Sequence, residues 1–189
     1  MSTIVATNIQ SDTIKHSGGT NAMTISSGGI TAFANAPSNI ITSLTTQTAT
    51  GTAFDFTGIP STAKRITVIF RGVSSASSDT GALVQLGTSS GFAVTGYAST
   101  SHYGSGGSSD HTGFYIYGIG SSNILSAIMT IVHMGSNIYV AAHSGKYNTS
   151  NGMFGGGDLA LGGTLTQVRI KQVSGGSFDA GTVNVMYES

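Results

Sequence analysis

The chain has 189 residues with no cysteine, seven Lys or Arg and seven Asp or Glu, so its formal net charge is zero; Gly, Ser and Thr number 28, 28 and 25. That excludes a disulfide framework, a thiolate metal site and the clustered basic surface a nucleic-acid partner demands, since the basic residues stand singly apart from Lys64-Arg65. Low charge with so much Ser, Thr and Gly borders on disorder, but plentiful β-branched residues with recurring Tyr and Phe point to ordered all-β structure rich in turns.

The N-terminal stretch is thinly apolar, with Ile4, Val5, Ile9, Ile14, Met23, Ile25, Ile30 and Phe33 set among Ser, Thr, Asn and Gly. It lacks a basic segment ahead of a roughly 7–15-residue apolar run, so no signal peptide is expected, and the chain is read as made in the cytoplasm. No apolar stretch approaches the ~20 residues that span a bilayer, so no membrane insertion is expected. Ile4, Ile9 and Ile14 recur every five residues, matching neither the helical nor the strand period. One apolar side chain in five does not close a core, and a lone extended segment leaves its backbone groups without partners. Residues 1–36 are therefore expected to form an extended arm, anchoring through Ile4, Ile9, Ile14, Met23, Ile25 and Ile30 on sister chains or a larger partner.

Ala36-Pro37-Ser38-Asn39 marks a boundary, and from residue 40 to 189 strand signals come at steady intervals. A first strand is predicted over "NIITSLTTQTA", then a turn at Thr50-Gly51, then "TAFDFTG". "AKRITVIFRGVS" alternates as a half-buried strand does, and "SSASSDTG" follows as a loop. "ALVQLGTSSGFAVTGY" reads as a hairpin around residues 88–91; the polar run at 98–112 reads as a loop. "FYIYGIGSSNILSAIMTIVHMGSNIYVAAHSGKY" supplies three strands, with the tightest turn at Gly135-Ser136-Asn137. A loop over 148–158 precedes "LALGG", "TLTQVRIKQVSGG" and "AGTVNVMYES".

About ten short strands without a convincing helix predict a two-sheet antiparallel sandwich of jelly-roll or lectin-like type. Its expected core is Ile66, Val68, Phe70, Leu83, Val84, Leu86, Ile116, Ile128, Ile131, Val140, Val168, Ile170, Val183 and Val185. A near-neutral surface also lacks the repulsion that keeps copies apart, which favours an assembly.

The phrases "TSLTTQTATGTAFDFTGIPSTAKRITVIFRGVS", "LVQLGTSSGF", "TGY" and "FDAGTVNVMYES", with the opening "STIVATNIQSD", resemble tail-fibre and virion appendage proteins of tailed phages infecting marine bacteria, including cyanobacteria. The resemblance covers most of residues 42–187, least over 98–160, and carries no catalytic motif. It implies a virion component, a homotrimer with a β-sandwich tip, attached through its arm to another virion protein of tail or capsid. Host adhesion, through a cell-surface glycan or protein, is the function expected. A head-fibre or capsid-decoration protein without receptor, or a polysaccharide depolymerase, is the alternative.

Enzymatic motifs are thin. The acids Asp12, Asp55, Asp79, Asp110, Asp158, Asp179 and Glu188 scatter over turns, where a depolymerase needs two carboxylates facing one sugar. Asp55 and Asp179 suit turn or strand-edge hydrogen bonding better. No nucleophile elbow is present, and "GGGD" and "GGSFD" lack the lysine and helix of a phosphate loop. No enzyme and no cofactor are expected. His102, Asp110 and His111 share one predicted loop, and His133 and His143 flank the 135–137 turn, across which two histidines ten apart can face each other on adjacent strands; ordinary surface histidines are expected and no metal is assigned. The candidate ligand surface is His102, Tyr103, Asp110, His111, Tyr115 and Tyr117 with His143, Lys146, Tyr147 and Asn148, because rings bordered by small polar residues on loops suit a sugar or protein.

Overall fold

The structure is a computed structural model that describes residues 13–15, 21–25, 31–33, 41–77, 81–104, 106–173 and 175–189. Among these there is no helix, hence none long and apolar enough to cross a membrane. The chain divides into two compact units, Met1–Ile40 and Ile41–Ser189.

In the first unit, β1 (Thr13–Lys15), β2 (Asn21–Ile25) and β3 (Thr31–Phe33) pair antiparallel with β2 in the middle. Ile14 stands opposite Met23 and Met23 opposite Phe33. Over these residues the leader finds backbone partners in its own sequence, where the sparse apolar pattern had suggested that other chains supply them. Met23 is half-buried. Ile14 and Ile25 fall in β1 and β2, whereas Ile4, Ile9 and Ile30 lie outside the described residues.

The second unit begins with β4 (Ile41–Ser43), β5 (Gln47–Thr48), β6 (Ala53–Thr57), β7 (Arg65–Ser75), β8 (Gly81–Thr88) and β9 (Gly91–Phe92). It continues with β10 (Ala98–Tyr103), β11 (Gly106–Asp110), β12 (Phe114–Tyr117), β13 (Leu125–Gly135) and β14 (Ile138–Lys146). β15 (Gly152–Ala160), β16 (Gln167–Gln172) and β17 (Phe178–Glu188) complete it. Two antiparallel sheets result: a nine-stranded one in the order β11-β10-β15-β14-β13-β7-β17-β4 with β5 also on β17, and a five-stranded one in the order β12-β8-β16-β6 with β9 on β8.

Period-2 alternation sends Ile66, Val68 and Phe70 of β7 and Val183 and Val185 of β17 inward, to meet Val84, Leu86, Val168 and Ile170 of the smaller sheet in one apolar cluster. The chain is thus all-β, a two-sheet antiparallel sandwich. Two predicted core residues are corrected: Ile128 and Val140 are 51% and 40% exposed. β13 is apolar on both alternations, and the buried set is Leu125, Ala127, Met129 and Ile131, which turns Ile128 outward.

Three further expectations change. The first strand breaks into β4 and β5, with Leu44 N–H bonded to the Val185 carbonyl at 2.9 Å between them. The polar run at 98–112 is mostly the hairpin of β10 and β11, which turns at Gly104 with φ +48°. Most of 148–158 is β15, whose Gly155, Gly156 and Gly157 are paired on both sides, by β14 and by β10. A Cβ on Gly156 would stand 2.8 Å from the Ala141 carbonyl oxygen, so closeness of neighbouring backbone, rather than a turn, explains glycine there. The turn at 135–137 forms as predicted: Ser136 and Asn137 have φ of 50° and 58°, the positive pair that a two-residue hairpin uses.

Candidate functional site

The sandwich closes where β10 of the large sheet passes β12, the edge strand of the small one. Ser99 and Ser101 point inward from β10, and their hydroxyls accept the backbone N–H groups of Tyr115 at 2.8 Å and Tyr117 at 3.1 Å. Those N–H groups belong to a strand with no further neighbour in its sheet, so the serines replace a missing ladder. Ser101 Oγ also lies 2.9 Å from His143 Nε2. A hydroxyl carries one hydrogen and two lone pairs, so Ser101 can accept the Tyr117 N–H and still share a hydrogen bond with the ring.

Burial pulls the His143 pKa down to about 4, and its Nδ1 has no hydrogen-bond partner among the described residues. A serine and histidine at this distance resemble part of a hydrolytic triad. Here Ser101 is fully buried at 0% exposure, and among the described residues no acid orients the imidazole. Both side chains belong to the large sheet, and Ser101 ties it to β12 of the small one. Ser101→Ala is expected to lower unfolding free energy by about 1–3 kcal/mol, because it orphans the Tyr117 N–H and His143 Nε2 together. Urea unfolding reads this; an unchanged midpoint would contradict the capping role.

Four of the predicted site residues converge around that seam. Tyr103 stacks on Tyr117 with centroids 4.7 Å apart and meets Tyr147 edge-on at 4.6 Å, while Tyr115 meets Tyr117 at 6.0 Å. The hydroxyl pKa of Tyr117 is raised, first by its hydrogen bond with Tyr103 and then by burial. Gly106 and Gly118 make room: a Cβ there would stand 2.9 Å from the Tyr103 ring and 2.7 Å from the Tyr147 ring. Tyr115 and Tyr147 are buried and Tyr103 and Tyr117 half-buried, so the rings form an interlayer cluster where sequence had suggested an open loop surface.

The other candidates lie apart. His143 sits beneath the seam. His102 is exposed on the outer face of the large sheet, its ring stacked at 5.9 Å on Phe154. Asp110 accepts the backbone N–H and hydroxyl of Thr112, each at 2.5 Å, and Asn148 Oδ1 accepts the N–H groups of Ser150 and Asn151 at 2.9 and 2.8 Å; both side chains close turns. His111 Nδ1 is 2.9 Å from the Tyr97 carbonyl, and Lys146 is exposed. In the β13–β14 register His133 stands opposite Tyr139 and His143 opposite Met129, so the two histidines do not face each other. Among the described residues no three His, Cys, Asp or Glu side chains gather as a metal site would need. Asp55 forms a two-bond ion pair with Arg169 at 2.7 and 2.9 Å, and Asp179 accepts the Ser74 hydroxyl.

One surface was not anticipated. Phe154, Ile128, Val132, Met134, Ile138 and Val140, 62%, 51%, 43%, 70%, 40% and 40% exposed, all project from β13, β14 and β15 on the side away from the core. The signal was present in "ILSAIMTIVHM", where both alternations are apolar: one face fills the core and the other has nothing within its own sandwich to cover it.

No family model, no curated protein and no solved structure matches the chain.

Proposed function

We propose that the chain is a subunit of a tailed-phage virion appendage, a homotrimer attached to a tail or capsid protein through residues 1–36 and presenting its sandwich for host-surface adhesion. The observation that carries this reading is a separate leader unit ahead of a β-sandwich whose larger sheet exposes a contiguous apolar face. A subunit working alone gains nothing from six large exposed apolar side chains on adjacent strands; one that assembles does. The phrase-level resemblance to phage appendage proteins supplies the setting. Purified chain added to host cells should bind saturably, and binding that rises only in proportion to concentration would overturn the adhesion.

A capsid-decoration role is the second reading, and one observation favours it. The tyrosines of the seam turn their faces to one another, and Asp110 and Asn148 each commit a side-chain oxygen to a turn, which leaves less for a receptor. On that reading the same binding assay gives no saturable signal while the protein still sits on the particle.

A further inference from the structure

We propose that copies of this chain meet through the outer face of the nine-stranded sheet, with Arg71 of one copy against Asp158 of the next. The proposal rests on the trimeric appendage reading and names the surface that assembles it.

Cross-strand register lays the face out in rows. One row runs His102, Phe154, Ser144, Ile128 and Ile69; the next runs Thr100, Gly156, Ala142, Thr130 and Thr67; a third runs Ala98, Asp158, Val140, Val132 and Arg65. The middle row is short side chains, flanked by Phe154, Ile128 and Ile69 on one side and Val140 and Val132 on the other, so the surface between them is a shallow trough. At the Arg71 end it deepens into a groove of about 420 Å³ lined by Ile69, Ile128, Ser126 and Ser144. From β10 to β17, six strands at ~4.8 Å and three rows at ~6.8 Å give a footprint on the order of 500 Å² before side-chain relief, against roughly 800 Å² per partner in a standard interface. Arg65, Glu188, Asp158 and Lys146 stand on the same face among the apolar side chains.

Charge identifies the occupant as a second copy. Arg65 is neutralised by Glu188 on the same face, 2.5 Å away, and Arg169 by Asp55 on the other sheet. Arg71 and Asp158, both exposed, have no ionic partner among the described residues. They stand at opposite corners, three strands and six residues apart, or about 25 Å, so they do not reach each other within one chain. One copy therefore offers two cations without an ionic partner among the described residues, Arg71 and Lys146, at one end of the face and the unpaired Asp158 toward the other, with apolar surface between. When the Arg71 half of the face on one copy meets the Asp158 half on the next, the contact joins two different patches and closes as a ring of three. The outer face of the five-stranded sheet contrasts with it: there Arg169 lies 4.1 Å above the Phe92 ring and is ion-paired, and Gln85 and Gln167 donate to the Thr112 and Thr88 carbonyls at 2.6 Å each.

The test is light scattering on the full-length chain during size exclusion, with circular dichroism to show that each variant is folded. Wild type should run at the mass of three chains and Val132→Asp, an exposed position, at the mass of one. Arg71→Asp and Asp158→Arg should each weaken association at least about tenfold, and the double variant should recover it, because the swap restores opposite charges. A monomeric wild type, or a folded Val132→Asp chain that keeps the wild-type mass, overturns the proposal. So does a double variant no better than the single ones. Particle location is read separately: a trimer missing from virions would defeat the appendage reading while leaving this interface standing, and a monomer found on virions would do the reverse.

Discussion

Gly181→Val is expected to prevent the sandwich from folding. Gly181 has φ +93°, a region that a β-branched residue enters only at about 1–3 kcal/mol. On this backbone a Cβ would also lie 2.5 Å from the Gly72 carbonyl carbon and 2.6 Å from Val73 Cα, and backbone cannot swing aside as a side chain does. The two glycines sit where β17 and β7 slip register, a kink that also places the Gly181 carbonyl to accept the Ala49 N–H at 2.9 Å. Strain, overlap and the lost tie at Ala49 together take most of the roughly 5–15 kcal/mol that holds a domain of this size. Circular dichroism and urea unfolding of the purified variant check it; a wild-type midpoint would mean the kink is not needed.

Acid is expected to destabilise the sandwich through His143. In the unfolded chain the imidazole titrates near its ordinary 6.5; in the fold burial holds it at about 4. Above pH 6.5 both states are neutral there and the histidine contributes no pH dependence. As the pH falls from 6.5 to about 4, the unfolded state takes up a proton that the folded state refuses, and unfolding becomes easier by about 3 kcal/mol in all. Below pH 4 both forms carry the proton and this contribution levels off. His143→Gln can keep a hydrogen bond to Ser101 without titrating, so its stability should change far less across that window. Urea midpoints from pH 7 to pH 4 for both proteins decide the matter; parallel slopes would show that His143 is not the group responsible.

Strands that face water on one side and core on the other were legible, because alternation and turn chemistry speak together. β7 and the 135–137 hairpin are of that kind. β15 was not legible, since Gly155–Gly157 carry no alternation and their reason is the nearness of backbone on both neighbouring strands, Ala141 on β14 and Ser99 and Thr100 on the distant β10. β10 and β11 failed for a related reason. Ser99 and Ser101 are polar and inward-facing, and only the position of β12, edge-on across the layer, shows what they bond. At the candidate site, aromatic rings among small polar residues are visible in the sequence, but a ring that packs on other rings has the same composition as one that waits for a ligand. The outer apolar face was readable in β13 and was instead assigned to the core, because two apolar alternations do not say which one is inside.

Reconstruction of intact phage particles by cryo-electron microscopy would place the chain. Density for three sandwiches projecting from the tail or capsid surface, joined to it through their N-terminal units, is the result expected of an appendage subunit. Particles that assemble and infect with no copy of the chain on them would contradict it.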